Sequence, residues 1–272
     1  KEIDQQPESW RRLADMLDQK KDEITAFMEK VIAVRDLKII TTGAGSSAFI
    51  GEAMQYMIAE ELGQETENIH TTDIISAPQA TLFDRPTLLI SYARSGESPE
   101  SCAAIRFAEK KIKTLYHIII VCDKNSTLAK TGKTLPRAIV VDMPEETCDK
   151  GFAMTSSVSC MALATWCIFH YKSMEIYTDY VRKLADSVQG QMQCLYDQAE
   201  NIAKVDYRRI IWLGSSALKG LAREACVKSM ELTDGYVHAG YDAPTGFRHG
   251  PKTVVNDETL TVHFISNLPY TR

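Results

Sequence analysis

Apolar positions recur at helical spacing near the start of the chain and gather into short continuous runs after it. Residues 7–34 carry apolar side chains three, four and seven positions apart, which predicts a helix. From there predicted strands and helices alternate, at 37–42, 47–62, 67–73 (a weak strand), 86–92, 99–111, 115–122, 138–141 and 153–170. Continuous apolar strands separated by helices are typical of a parallel sheet covered on both faces. The pattern predicts a three-layer, doubly wound α/β fold.

A second, shorter series begins at residue 207, after a predicted long amphipathic helix over 177–204. It contains a strand, a helix to about Leu232, a loop rich in Gly and Pro, and a strand at 259–265. Two strands leave edges that must be paired or covered, so this copy is expected to be incomplete at its C-terminus. The predicted divisions are a helical segment (1–34), a first α/β domain (35–175), a linker helix (176–205) and a partial second domain (206–272).

The two series open on the same local pattern. In both DLKIITTGAGSSAFIGEAM (36–54) and YRRIIWLGSSALKGLAREA (207–225), a β-branched run ends at a glycine and paired serines, and an Ala-rich helical pattern follows. Small hydroxyl residues at a helix N-terminus favour anion binding, because free N–H groups point outward and the helix dipole attracts negative charge. The repetition predicts a duplicated fold that handles phosphorylated small molecules.

Bulk composition narrows the class of protein. The chain has 272 residues, 44% hydrophobic and 25% charged, which is ordinary for a soluble globular protein. The net charge of −5 and the lack of a Lys/Arg-rich run argue against a nucleic acid or an anionic membrane as partner. The longest apolar run, 158–171, is shorter than the ~20 residues of a membrane span and predicts a buried helix. The charged N-terminus lacks a signal-peptide core, so we predict a cytoplasmic protein.

The seven cysteines are scattered and contain no CxxC pair. This usage is typical of reduced, buried thiols in a cytoplasmic protein and does not match zinc-site spacing. We therefore predict neither a metal site nor a redox cofactor.

The first turn, GAGSSA at 43–48, allows three interpretations. It resembles the GxGxxG pattern but lacks the third glycine, so a dinucleotide site, and with it a nucleotide-dependent oxidoreductase, is disfavoured. Ser46 and Ser47 suit a terminal phosphate at a helix N-terminus. The remaining alternative is that one of them is an ordinary helix cap.

A second serine-rich loop, SYARSGESPES at 91–101, follows the most apolar strand of the first half. Ser95 and Ser98 can donate hydroxyl groups, and Arg94 can add positive charge. Open α/β sheets bind ligands at the carboxyl ends of their strands. The loop is therefore a second predicted phosphate contact, with a solvated loop as the alternative.

Two further segments carry titratable side chains. Glu224, Lys228 and Glu231 fall at i, i+4 and i+7, so they form one polar stripe on a helix. Spacing alone favours a solvent-exposed stripe of ion pairs. His249, in the rigid loop TGFRHGPK at 245–252, is placed to reach a ligand, and the alternative is a histidine without such a role.

Together the segments GAGSSAFIGE, SYARSGESPES, REACVKSMEL and TGFRHGPK, in this order, resemble the tandem sugar isomerase (SIS) domain family. The segments resemble the bacterial tagatose-6-phosphate ketose/aldose isomerase and galactosamine-6-phosphate deaminase group more than the isomerase half of glucosamine-6-phosphate synthase. The resemblance implies flavodoxin-like SIS domains, a phosphorylated sugar or amino sugar as ligand, no cofactor, and a homodimer or higher homo-oligomer.

The resemblance also implies a role for each matching residue. Glu231 corresponds to the carboxylate that moves a proton between sugar C1 and C2, and Lys228 to the cation beside it. His249 corresponds to the ring-opening acid/base, which in the relatives comes from the neighbouring subunit. The implied phosphate ligands are Ser46, Ser47, Ser95 and Ser98, and the implied substrate contacts are Arg94, Thr155 and Glu224.

Two departures refine the expected activity. Relatives often carry Ser-x-Ser-Gly where this chain has Ala93-Arg94-Ser95-Gly96, so one hydroxyl is replaced and an arginine is added. The glutamine-hydrolysing domain of the synthase has no counterpart in these residues, so glutamine-dependent amination is not expected. The predicted reaction converts galactosamine-6-phosphate to tagatose-6-phosphate plus ammonia through an enediol/enamine 1,2-proton shift.

Two alternatives to this reaction stay open. One is a pure ketose/aldose phosphate isomerase. The other is a non-catalytic SIS regulator that binds phosphosugars, which would need the serines but neither Glu231 nor His249. The presence of both residues favours the enzyme.

Overall fold

The computed structural model describes residues 1–267. They divide into two compact units, Lys1–Gln189 and the residues from Gly190 onward. The first unit contains α1 (Gln6–Gln19), α2 (Lys21–Ile32), β1 (Lys38–Thr42), α3 (Ser46–Leu62), β2 (Thr66–Asn68), α4 (Thr71–Ser76), α5 (Pro78–Thr81), β3 (Thr87–Ala93), α6 (Pro99–Lys111), β4 (Leu115–Val121), α7 (Thr127–Thr134), β5 (Ala138–Asp142) and α8 (Ser156–Phe169). The boundary between the units falls within α9 (Met174–Ala203).

The five strands of the first unit form a parallel sheet in the order β2-β1-β3-β4-β5. This is the flavodoxin-like order, in which the direction of winding reverses between β1 and β3. Thr42 at the end of β1 lies opposite Ser91 in β3, so the two strands end close together. The loops that follow them, which carry the predicted phosphate contacts, therefore leave the same edge of the sheet side by side.

Both faces of this sheet are covered by helices, as the continuous apolar strands predicted. Ile39 and Ile90 belong to a core that includes α1, α2, α3 and α8 on one face. Their neighbours along the chain, Ile40 in β1 and Leu89 in β3, pack with α4 and α6 on the opposite face of the sheet. The alternation of side chains along each strand thus builds three layers, and the predicted fold class is confirmed.

The helix predicted over 7–34 is wrong in one respect, because α1 and α2 are separate helices that meet at Lys20. Leu13, Leu17, Ile24 and Met28 are all buried in the same core, so both apolar faces are used. The spacing of apolar residues continues across the break, and neither Gly nor Pro marks it. Sequence periodicity therefore had no signal for the separation.

Two other elements of the first unit differ from the prediction. The strand expected at 67–73 spans only Thr66–Asn68, because α4 begins at Thr71. The sequence analysis did not predict α7, which is short and contains glycine and β-branched residues of low helix propensity. Its local signal is Ser126, whose hydroxyl oxygen accepts the N–H of Ala129 as an N-cap.

The 158–171 run was predicted to be a buried helix, and α8 confirms this: Cys160, Met161 and Ala164 have no exposed surface. Among residues 1–267, no helix combines the length and the apolar character that crossing a membrane requires.

The second unit contains three strands where two were expected. Its elements are β6 (Arg209–Leu213), α10 (Ala217–Leu232), β7 (His238–Asp242), α11 (Pro244–Phe247) and β8 (Thr259–His263). The strands are parallel in the order β7-β6-β8, which repeats the β2-β1-β3 order of the first sheet. The loop expected between α10 and the last strand contains β7, whose sequence HAGYD carries little strand propensity.

Candidate functional site

The turn after β1 places two serines in the first turn of α3. Ser46 and Ser47 are 6% and 5% exposed, and α3 begins at Ser46. Within residues 1–267, neither hydroxyl makes a hydrogen bond to the protein, so neither serves as the N-cap that the sequence analysis considered. The N-cap position is Gly45, which has a left-handed φ of 56°. Both hydroxyls thus stand at a positive helix end with their donors available.

Gly43 explains how α3 starts so close to the end of β1. A Cβ atom at this position would lie 2.6 Å from the backbone carbonyl carbon of Ser47 and 2.8 Å from the backbone nitrogen of Ala48. Only glycine fits against this backbone without displacing the first turn of α3. The position of both serine hydroxyls therefore depends on the absence of a side chain at Gly43.

The phosphate site predicted from the sequence at this turn gives a testable expectation for Gly43→Ala. Displacing the first turn moves both serines and the helix end, so the variant should bind phosphate at least about tenfold more weakly. The measurement is the Kd for inorganic phosphate by titration calorimetry. Gly63→Ala is the control: Gly63 ends the same helix with φ 60°, and a Cβ atom there would meet no other atom within 4 Å. Equal phosphate affinity in the two variants would contradict a phosphate site at this turn.

The loop after β3 supplies the second pair of serines. Ser95 is exposed, and its hydroxyl oxygen accepts the Glu97 N–H at 3.3 Å. Ser98 is the N-cap of α6: its oxygen accepts the Ser101 N–H at 3.2 Å, and its hydroxyl is 2.8 Å from the Ser101 hydroxyl. The N-termini of α3 and α6 thus follow neighbouring strands, and this arrangement suits a bound anion.

Arg94 joins this loop to a third one. Its Nη1 donates to the Gly151 carbonyl oxygen at 3.2 Å, while the side chain remains partly exposed. From the other side, the Glu2 carboxylate accepts the N–H groups of Lys150 and Gly151 at 2.7 and 2.9 Å. The loop that leads to Thr155 is therefore held on two sides.

Asp149, in the same loop, is hydrogen-bonded to the three residues at the start of α8. Its carboxylate accepts the N–H groups of Thr155, Ser156 and Ser157 and the hydroxyls of both serines, and the residue is 6% exposed. Burial by itself would raise the pKa of Asp149, but these hydrogen bonds hold the pKa below its ordinary value. The Thr155 hydroxyl donates to the Ala153 carbonyl oxygen at 3.2 Å. Asp149 thus fixes the start of α8, and sequence reasoning missed it because its partners lie six to eight residues away.

A cleft of about 1060 Å³ lies at the carboxyl ends of β4 and β5. Asp149 and Lys150 line it, together with Cys122 and Cys148. Burial raises the pKa of the Cys122 thiol to about 12, so this thiol stays protonated at neutral pH. The four predicted phosphate serines do not line the cleft, which adjoins the loop leading to Thr155.

In the second unit, α10 brings together Glu224, Lys228 and Glu231. The Lys228 ammonium donates to Oε2 of Glu231 and lies 3.6 Å from Oε1 of Glu224. The side chains are 11%, 18% and 26% exposed in the order Glu224, Lys228, Glu231. The solvent-exposed stripe favoured by spacing alone is therefore wrong. A lysine between two shielded carboxylates is suited to proton transfer and to stabilising a developing negative charge.

His249 lies in the loop after α11, where it is exposed. Its backbone N–H donates to the Gly246 carbonyl oxygen at 3.0 Å. Among residues 1–267, the imidazole makes no hydrogen bond or ion pair with the protein. The polar contacts of Lys228 and Glu231 within these residues do not include His249.

The turn after β6 repeats the backbone of the first turn but not its chemistry. Ser216 has φ 51° and ψ −124°, close to the 56° and −132° of Gly45, and a Cβ at Gly214 would collide with the Leu218 carbonyl oxygen. Because α10 starts at Ala217, the serines precede the helix and Leu218 stands where the first turn has Ser47. The second turn thus brings its paired serines to the N-cap position of a helix, whereas in the first turn both serines lie within the helix.

Residues 1–267 contain no group of three or more His, Cys, Asp or Glu side chains arranged to hold a metal ion.

Comparison with known proteins gives consistent matches. The SIS domain matches residues 32–171. The D-galactosamine-6-phosphate deaminase AgaS of Escherichia coli is 40% identical over the whole chain, which covers 71% of that protein, and AgaS of a Shewanella species is 39% identical with 70% covered. The crystal structure of tagatose-6-phosphate ketose/aldose isomerase from Escherichia coli superposes with a TM-score of 0.94 at 40% identity, over 100% of this chain and 74% of that one.

Proposed function

We propose that this chain, which belongs to the SIS domain family, is a 6-phosphosugar isomerase/deaminase. The proposed reaction converts galactosamine-6-phosphate to tagatose-6-phosphate and ammonia. The observation that carries the proposal is the 40% identity, across the entire chain, with an enzyme named D-galactosamine-6-phosphate deaminase. The Lys228–Glu231 pair supplies the acid/base chemistry that such a reaction needs.

The phosphate is held by the two loops at the β1/β3 edge. Ser46 and Ser47 offer hydroxyls without protein partners among residues 1–267, and the exposed Ser95 and the N-cap Ser98 face the same edge from the neighbouring strand. Neutral O–H and N–H donors at two helix N-termini bind a dianion without needing a counter-cation. Arg94 and Thr155 contact the sugar from two loops that the Arg94–Gly151 hydrogen bond joins.

The proton shift is assigned to Glu231. In the open-chain aldose it removes the proton from C2, and the C2–H electron pair forms a C1–C2 double bond while the C1 oxygen gains negative charge. Lys228 stabilises that charge, and Glu224 shares the ammonium and keeps it in place. Return of the proton to C1, together with transfer of one amine N–H proton to the C1 oxygen, leaves a C1 hydroxyl and a ketose imine at C2. Water adds to the imine carbon, the nitrogen takes up a proton, and the C–N bond breaks to release ammonia and the C2 carbonyl.

Ring opening is assigned to His249, which must move a proton between the ring oxygen and the C1 hydroxyl. Its exposed ring has no partner among residues 1–267, which supports a role in a homodimer or higher homo-oligomer, where a neighbouring subunit receives it. We further propose that the protein acts in the cytoplasm, where phosphorylated sugars are found.

The test is ammonia release from galactosamine-6-phosphate and glucosamine-6-phosphate, with the interconversion of galactose-6-phosphate and tagatose-6-phosphate assayed in parallel. Release from the galacto epimer, in excess over the gluco epimer, is the expected result. Interconversion without ammonia from either amino sugar would replace the proposal with a pure isomerase. Phosphosugar binding without any turnover would replace it with a regulator.

A further inference from the structure

The loop that carries Ser95 and Ser98 is tied to the first turn of α7. One carboxylate oxygen of Glu97 accepts the N–H of Thr127 and the other accepts its hydroxyl, each at 2.7 Å. The carbonyl oxygen of Gly96 accepts the Leu128 N–H at 3.0 Å. Three hydrogen bonds from two consecutive residues therefore join this loop to one helix end.

The packing at Gly96 prevents the loop from sliding on α7. Gly96 has φ 62°, and a Cβ atom there would lie 2.7 Å from the Cβ of Ser126, the N-cap of α7. The loop backbone thus lies directly against the cap. Glu97 is the only side chain of residues 94–98 that bonds to α7 among the contacts of the described residues.

We propose that Glu97 is a positioning residue for phosphate binding: held by Thr127, it fixes the loop in the shape that presents Ser95 and Ser98 to the phosphate. The backbone N–H of Glu97 also donates to the Ser95 hydroxyl at 3.3 Å, so the residue that anchors the loop orients Ser95 directly. Ser98 follows it at once and begins α6. The inference rests on the proposed function in so far as this loop binds phosphate.

The charge of Glu97 is consistent with a place beside an anion site. Its carboxylate is turned to the N-terminus of α7, where the helix dipole and the Thr127 donors compensate its charge. The Thr127 hydroxyl, and after it the Thr127 N–H, lowers the pKa of Glu97. The carboxylate thus remains ionised and bonded over the pH range in which a phosphate monoester is a dianion.

A merely structural cap of α7 would affect stability and leave phosphate affinity unchanged, which gives a clear experiment on the full chain. The variants are Glu97→Ala, Glu97→Gln and Thr127→Val, and the readouts are the Kd for inorganic phosphate, KM and kcat for galactosamine-6-phosphate, and Tm. Asp84→Ala is the matched control. The Asp84 carboxylate likewise accepts a backbone N–H, that of Lys113 at 3.0 Å, but Asp84 lies in a loop that precedes β3.

Glu97→Ala is expected to raise the phosphate Kd and KM about tenfold while kcat changes less than about twofold. Glu97→Gln keeps one acceptor for the Thr127 N–H and is expected to recover most of the affinity. Adding Thr127→Val to Glu97→Ala should cause no further loss, because both act through one contact. Asp84→Ala should lower Tm without changing the phosphate Kd.

An unchanged phosphate Kd in Glu97→Ala, or a loss equal to that of Asp84→Ala, would overturn the inference. A fall in kcat at constant KM would overturn it as well, since that result places Glu97 in the chemical step. If the unaltered protein releases no ammonia but binds phosphate in a Glu97-dependent manner, the proposed function fails and this inference stands.

Discussion

Glu231→Gln is expected to lower the turnover of galactosamine-6-phosphate by at least ~10²-fold, the usual scale for removing a general base. Glutamine keeps the shape of the side chain and can still contact Lys228, so the affinity for inorganic phosphate should stay within about twofold. The measurements are kcat for ammonia release and the Kd for inorganic phosphate.

The control for this variant is Glu258→Gln, which makes the same charge change in the same unit. Glu258 is paired with Arg208 at 3.3 Å just before β8 and has no place in the proposed site. Its turnover should remain within about twofold of the unaltered protein. Turnover unchanged by Glu231→Gln would contradict the assignment of the base, and a parallel loss of phosphate binding would indicate a folding defect.

Asp149→Ala is expected to lower the free energy of unfolding by about 3 kcal/mol or more, because it leaves several buried donors without an acceptor. The groups that lose their partner are the N–H groups of Thr155, Ser156 and Ser157 and the two serine hydroxyls. Chemical denaturation measures the change. Glu145→Ala, which removes an exposed carboxylate nearby, should change stability by no more than about 0.5 kcal/mol.

The same substitution predicts a pH dependence with a definite sign. The pKa of Asp149 is lowered in the folded protein. The contribution of Asp149 to the free energy of unfolding is therefore fully present above its pKa in the unfolded chain, about 3.9, and is lost as pH falls through its pKa in the folded protein. The stability difference between the unaltered protein and Asp149→Ala should therefore be constant near neutral pH and shrink below about pH 4. A difference that grows on acidification would contradict an ionised, hydrogen-bonded Asp149.

Much of the first unit was predictable because its signals are local. The strand-turn-helix at 36–54 has a β-branched run, a glycine where the strand end lies against the helix backbone, and serines at the helix start. All of these signals lie within one short segment. The sequence analysis missed α7 and β7 because the local sequence signals of these two elements are weak. In the second turn a similar sequence adopts the same backbone geometry, but the helix starts after both serines, so Leu218 stands where the first turn has Ser47.

The sequence by itself determined the α/β class, the alternation that covers both faces of the sheet, and the segments that carry the candidate chemistry. These follow from side-chain periodicity and from residue types whose preferences act over a few neighbours. Only the tertiary structure decided that Glu224, Lys228 and Glu231 are shielded from solvent. It also decided that Asp149 holds the start of α8 and that Glu97 binds the N-terminus of α7. Burial and long-range hydrogen bonds depend on which segments meet in space, and spacing along the chain does not encode that.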